Sequence, residues 1–129
     1  MAGRFTPVQR RVYEVVLRAQ ETAIQAMRPG TRFLDIHLMA AREIAAGLKE
    51  IGLMKGDVDE AVQAGAHALF FPHGLGHMMG LDVHDMENLG EDLVGYDETI
   101  SRSRQFGLSA LRMARELIPG FVITVEPGI

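Results

Sequence analysis

The sequence predicts an α+β fold, and three observations carry that prediction. Apolar residues recur at helical spacing through the first 51 positions. The second half is punctuated by glycine, and it ends in a β-branched, apolar run at 121–125. No linker, low-complexity tract or internal repeat separates the halves, so residues 1–129 read as one domain.

Each element has its own justification. Thr6-Pro7-Val8-Gln9 starts a helix: threonine caps, proline suits the first helical position, and Gln9 completes a capping box. Val8, Val12, Val15, Val16, Ala19, Ala23 and Met27 then form one apolar stripe, which Pro29-Gly30 ends. Asp35 is expected to cap a second helix with Ile36, Ala40, Ile44, Leu48 and Ile51 on its inner face and Gly52 as its stop. Gly47, beside that face, weakens the helix locally and permits close packing. A shorter helix is expected over 57–66, and Leu69-Phe70-Phe71 reads as a strand. The acidic, glycine-containing stretch 87–96 reads as a loop. Phe106, Leu108, Leu111, Ala114 and Leu117 predict another helix over 103–117, ended by Pro119-Gly120, before the buried strand 121–125.

Composition narrows the function classes. A formal charge of −4, with the basic residues dispersed, gives no electrostatic footprint for nucleic acid. No run approaches the roughly 20 apolar residues of a membrane span, and the N-terminus lacks the apolar core of a signal peptide. The chain has no cysteine, which removes thiolate metal sites and a cysteine nucleophile and agrees with a cytoplasmic location. The eight methionines read as core filler, with Met78 and Met79 beside a candidate pocket.

That pocket is the most informative feature. His73-Gly74-Leu75-Gly76-His77 is followed by Leu81-Asp82-Val83-His84-Asp85, so three of five histidines fall within twelve positions. Imidazole is the side chain most readily switched near neutral pH and a frequent ligand for transition metals. The glycines and Pro72 argue against a helix here, and in an extended chain His73 and His77 share a face. His84 would lie on the other face unless the chain bends at Gly80. Any one of these histidines is also compatible with a hydrogen-bonded core residue. This is not the helical HExxH zinc motif, because position 74 is glycine. Glu126 ends the run 121–125 just before Pro127-Gly128. There it either caps a surface turn or projects into a cleft, where a carboxylate must be paired, protonated or bound to a cation. Asp85 is placed to hydrogen-bond a histidine and fix its tautomer, while the acidic residues after it read as a solvated loop.

Two motifs together, His73-Gly-Leu-Gly-His77 with Gly80-Leu-Asp-Val-His84-Asp85 and Ile123-Thr-Val-Glu-Pro-Gly128, resemble the central motifs of the Xaa-Pro aminopeptidase and prolidase family of dinuclear metallopeptidases. The flanks Thr6-Pro-Val-Gln-Arg-Arg-Val-Tyr13 and Met27-Arg-Pro-Gly30 are also similar to that family. The resemblance implies a partial pita-bread (creatinase/aminopeptidase) fold, with helices packed on a curved antiparallel sheet. It implies that His77 and Glu126 are metal ligands, and that His73 and His84 are catalytic, substrate-binding residues. It implies two divalent ions in the complete domain, manganese first and cobalt or zinc as alternatives, which activate a water. The implied substrate is a peptide with proline in second position. The alternative is a non-catalytic peptide- or protein-binding module of the same fold.

The family's pattern also includes two aspartates upstream and a second glutamate downstream, and none stands here in its expected context. The expectation is therefore an internal piece of a catalytic domain, holding at most a weak single-ion site and inactive alone. Absent neighbouring strands would leave open edges and apolar faces, so self-association or a homo-oligomer is expected.

Overall fold

The computed structural model describes residues 3–129. Helix α1 spans Pro7–Ala26, α2 Phe33–Glu50, α3 Val58–Gln63 and α4 Glu91–Gly95. Single 3-10 turns lie at Ala66–Leu69, Glu87–Leu89 and Leu108–Ala110.

The helical pair follows its sequence signals closely. Gln9 N–H donates to Thr6 Oγ1 at 3.3 Å and Thr6 N–H to Gln9 Oε1 at 2.9 Å, closing the capping box. Val15, Ala19 and Ala23 of α1 are buried against Ile36, Ala40, Ile44 and Leu48 of α2. Gly47 lets the Val15 side chain rest directly on the α2 backbone, since an added Cβ would run into its methyl groups. Val8 departs from the stripe and is 62% exposed. It lies two turns before Val15, past the end of α2, so nothing in that helix covers it.

The start of α2 shows what a local reading misses. The helix begins at Phe33, two residues before Asp35, and has no side-chain cap. Its first amides are instead satisfied by distant carbonyls: Phe33 N–H donates to Arg115 O at 3.0 Å and Leu34 N–H to Ala114 O at 3.2 Å. Asp35 is left in the first turn, where a carboxylate suits the helix dipole.

The expected α+β architecture is overturned. Among the described residues there is no β-strand and no sheet, only isolated bridges at Arg32↔Glu116, Met78↔Ile123 and Asp97↔Ile100. The curved antiparallel sheet expected to carry the helices is therefore absent, and the regular structure is helical. The run 121–125 is extended and lies antiparallel to 75–79, through Met79 N–H to Val122 O at 2.9 Å, Thr124 N–H to His77 O at 3.0 Å and Glu126 N–H to Leu75 O at 2.7 Å. The return bonds of a regular ladder are missing, and at the 77/124 pair the His77 N–H turns to the Thr124 hydroxyl at 3.0 Å.

Three further expectations change. Leu69-Phe70-Phe71 leaves a 3-10 turn rather than forming a strand, exposing Leu69 and burying Phe71. The stretch 87–96 is a 3-10 turn and the short α4 rather than a loop. The helix expected over 103–117 is only the turn Leu108–Ala110. Its backbone is committed elsewhere: Ala114 and Arg115 donate to Gly95 O at 2.8 and 3.0 Å, and Leu117 donates to Thr31 O at 2.9 Å. Leu111, Ala114 and Leu117 are nonetheless buried, as their apolar character requires, and Met113 joins them. The short third helix is where it was expected, with Asp57 accepting from Asp59 N–H at 2.9 Å and Glu60 N–H at 3.0 Å, although it stops at Gln63.

Candidate metal centre

His77 sits on the extended segment against 122–126, its residue surface 8% exposed. Gly76 makes that approach possible: an added Cβ would collide with the Thr124 carbonyl. His77 Nδ1 lies 2.9 Å from Met78 O. A carbonyl only accepts, so Nδ1 carries the proton and the lone pair of a neutral ring is on Nε2. That Nε2 faces Glu126 Oε1 at 3.0 Å. Two acceptors cannot share such a distance without a cation or a proton between them. Thr124 Oγ1 donates to the same Glu126 Oε1 at 2.7 Å.

The other two histidines stand around this pair. His84 is packed edge-on against His77, with ring centroids 4.2 Å apart. The chain returns it there by a turn closed through Asp85 N–H to Met78 O at 3.2 Å and Gly80 N–H to Asp82 O at 3.1 Å. His73 Nδ1 donates to Gly74 O at 2.9 Å, and its ring stands edge-on to Phe71 at 4.9 Å. Its Nε2 lies 3.2 Å from where a Cβ on Gly128 would be, so glycine keeps that nitrogen open. His73, His77, His84 and Glu126 line one cavity of about 220 Å³, together with Gly74, Gly76, Ala110 and Arg112.

Asp85 is placed differently from the expectation of a histidine partner. Its Oδ1 accepts from Asp82 N–H at 3.4 Å, and its carboxylate packs on Gly80. The Met78 carbonyl takes the proton of the His77 ring instead.

Arg112, which lines the pocket, and Thr124, which bonds to His77 and Glu126, were not singled out from sequence. Arg112 pairs with Glu87 and, at 3.6 Å, with Glu91, and its Nη1 lies 3.5 Å from His84 Nδ1. It arrives through the folding of 108–117 onto α4, and no local pattern marks it. Thr124 stood inside the quoted motif, but its role depends on pairing with His77.

Behind His73 lies a second histidine pair. His37 and His67 are buried with ring centroids 6.3 Å apart, and His37 packs on Phe71 at 5.3 Å. Among the described residues neither ring has a hydrogen-bond partner. Burial, with the charges of His67 and His73 adding to it, holds the His37 ring down at about 4. Burial lowers His67 too, so both rings are neutral near pH 7.

A neutral imidazole nitrogen and a carboxylate oxygen 3.0 Å apart fit one divalent ion. Donors at neighbouring positions of an ion, each about 2.1 Å away, lie roughly 3 Å from each other. Among the described residues no group of three or more His, Cys, Asp or Glu side chains converges to hold an ion, so the donor set is this pair. The arrangement is a histidine–carboxylate pair, a donor chemistry that suits a hard or borderline cation. The chain belongs to metallopeptidase family M24, whose model matches residues 1–129. It is 46% identical over 127 residues to the Xaa-Pro dipeptidase of Homo sapiens, covering 98% of this chain and 24% of that protein. It is 40% identical over 127 residues to the Xaa-Pro aminopeptidase of Escherichia coli, with the same coverage. The solved structure of zinc-substituted E. coli aminopeptidase P in complex with product is also similar, with a TM-score of 0.74 and 40% identity over 96% of this chain and 24% of that one. The chain therefore spans about a quarter of the length of the relatives it matches. No helix of the described residues is long and apolar enough to cross a membrane.

Proposed function

We propose that the protein is a metal-dependent peptidase that cleaves the Xaa-Pro bond at the N-terminus of peptides, of the aminopeptidase P or prolidase type. In this reading His77 and Glu126 hold a divalent cation, while His73 and His84 contact the substrate. The observation that carries it is the 3.0 Å approach of His77 Nε2 to Glu126 Oε1 in a cavity that His73 and His84 also line. Membership of the metallopeptidase family and the names of the similar proteins support the reaction class.

A bound divalent ion would supply Lewis acidity and bring the pKa of a water toward neutrality. The chain's own residues supply position and proton handling. Met78 O fixes the His77 tautomer so that Nε2 is the donor atom. His73, with its proton on Nδ1 toward Gly74 O, presents Nε2 as an acceptor. His84 receives Arg112 Nη1 at its Nδ1, leaving an Nε2–H to donate. The two flanking histidines thus offer opposite hydrogen-bonding roles, one for an amide or amine hydrogen and one for a carbonyl oxygen. A complete centre of this kind would hold two ions, manganese first and zinc or cobalt as alternatives, and His77 with Glu126 would hold one of them. These two donors alone hold one ion weakly.

Metal content and hydrolysis of Xaa-Pro peptides with added manganese test this directly. For the 129-residue chain the expected result is weak binding of one ion, abolished by His77→Ala, without turnover. Two tightly bound ions with turnover would overturn the incomplete-site reading. In the complete enzyme, turnover of peptides lacking proline in second position at equal rate would overturn the substrate assignment.

A further inference from the structure

We propose that Thr124 is a positioning residue for the metal pair: its hydroxyl links the His77 amide to the Glu126 carboxylate and holds that carboxylate facing His77 Nε2. The proposal rests on the reading of His77 and Glu126 as cation ligands.

Thr124 and His77 face each other across the antiparallel pairing of 75–79 with 122–126. Directly opposed residues in a hydrogen-bonded pair normally exchange two backbone bonds. Here Thr124 N–H donates to His77 O at 3.0 Å, but the His77 N–H donates to Thr124 Oγ1, also at 3.0 Å. A hydroxyl has one proton and two acceptor lone pairs. With the His77 amide on an acceptor lone pair, the proton is directed to Glu126 Oε1 at 2.7 Å. The result is a closed ring: His77 N–H to Thr124 Oγ1, Thr124 O–H to Glu126 Oε1, and Glu126 Oε1 against His77 Nε2 at 3.0 Å. The ring sacrifices a regular ladder bond, and it places both proposed ligands by one hydroxyl.

The need for such a tether is visible in the exposure of the two partners. The His77 side chain is largely buried and its ring is fixed by Met78 O, whereas the Glu126 side chain is 52% exposed. The Glu126 amide is anchored on Leu75 O at 2.7 Å, but that bond constrains the main chain only. Thr124 Oγ1 is the hydrogen-bond donor that orients the carboxylate itself. Gly76 completes the arrangement, because any side chain there would push Thr124 away. Threonine also suits the post through its β-branch, which restricts χ1 and so fixes the hydroxyl direction.

Two substitutions separate the hydroxyl from the shape. Thr124→Val keeps the branched form and loses the hydroxyl, and Thr124→Ser does the reverse. Affinity is read from Mn2+ titrations of the 129-residue chain followed by paramagnetic broadening at positions 77 and 126, with His77→Ala and Glu126→Ala alongside. Thr124→Val is expected to weaken Mn2+ binding about 10- to 100-fold, the range for loss of an outer-shell partner, and Thr124→Ser to retain most of it. Undiminished binding in Thr124→Val, with His77→Ala still losing it, overturns the positioning role and leaves the ligand reading intact. Equal losses in the serine and valine variants overturn it as well, since shape would then be the cause. Mn2+ binding that ignores both alanine substitutions overturns the ligand reading, and the proposal with it. Hydrogen exchange of the His77 amide in the unsubstituted, metal-free chain checks the ring without any substitution. Slow exchange is expected, and exchange at the rate of a free amide overturns the proposal.

Discussion

Residues 7–50 and residues 66–129 satisfy the same backbone demand in opposite ways. The first stretch closes its hydrogen bonds within two long helices and buries one stripe of each against the other. The second closes them between segments far apart in sequence: 75–79 with 122–126, 114–115 with Gly95, and Leu117 with Thr31. The helical part is therefore held by side-chain packing, while the site part packs its apolar residues into the same core but also needs backbones to approach without obstruction. Glycine has a different meaning in each. At Gly47 an added Cβ would meet side-chain methyls, but at Gly76 and Gly95 it would meet backbone carbonyls. The contrast explains why the cavity is built from the irregular half. The candidate site residues meet there because the chain is free to bring segments together at angles that a helix does not allow.

The largest way to test the contrast is to damage the helical core. Ile44→Ala should cost about 2–5 kcal/mol, because a fully buried side chain leaves a cavity between α1 and α2. Urea unfolding followed by far-UV circular dichroism measures it, and a loss below about 1 kcal/mol would mean that the pair does not carry the fold. Gly76→Ala should cost about 3 kcal/mol, at the upper end of overpacking, since the Thr124 backbone would have to move. Its distinctive signature is location: hydrogen exchange should rise at 75–79 and 122–126 while α1 and α2 stay protected. Uniform loss of protection would show that the two regions fold as one unit.

Acid sharpens the same boundary, because His37 is on α2 and reaches toward the site through Phe71 and His73. Its ring is held at about 4, against 6.5 in the unfolded chain, so the folded form takes up fewer protons in that interval. Stability from this ring is therefore complete above pH 6.5 and falls as pH drops toward 4. At about 1.4 kcal/mol per unit, the loss amounts to about 3 kcal/mol. Asp57 and Asp97, lowered mainly by hydrogen bonds from the Glu60 amide and the Thr99 hydroxyl, act below 3.8, so the window is shared only with His67, whose ring is also lowered by burial. His37→Leu should reduce the slope of urea midpoints between pH 6.5 and 4, leaving the smaller part due to His67, and an unchanged slope would contradict the assignment. The smallest effect is expected at the edge of the helical region. Thr6→Ala removes one half of the capping box and should cost about 1 kcal/mol, read as a small drop in melting temperature.

The legibility of the chain divides along the same line. The α1 cap, the buried stripes and the short helix after Asp57 are all decided within a few residues, so pattern reading recovered them. The four candidate site residues also share one cavity, and the bend at Gly80 does bring His84 beside His77. Elsewhere the same apolar spacing misled. Leu111, Ala114 and Leu117 are buried as a helical stripe would be, yet their segment gives its backbone bonds to Gly95 and Thr31. The β-branched run 121–125 is extended and pairs with 75–79, but it is neither a regular strand nor buried: Val122 is 54% exposed, and the His77 amide goes to the Thr124 hydroxyl. Arg112 entered the cavity with no local sign at all.

Residue identity alone settled where α1 begins, which faces α1 and α2 bury, and that an imidazole-rich turn and a carboxylate after an apolar run are the candidate chemistry of the chain. Those properties depend on spacing and on side-chain type, both of which are local. Folding in three dimensions settled the rest: the cap of α2 by the carbonyls of 114–115, the proton on His77 Nδ1 through Met78 O, and the 3.0 Å meeting of His77 with Glu126. Each of these is a hydrogen bond or contact whose partner is chosen by where the chain travels, so its energy exists only once distant segments have met.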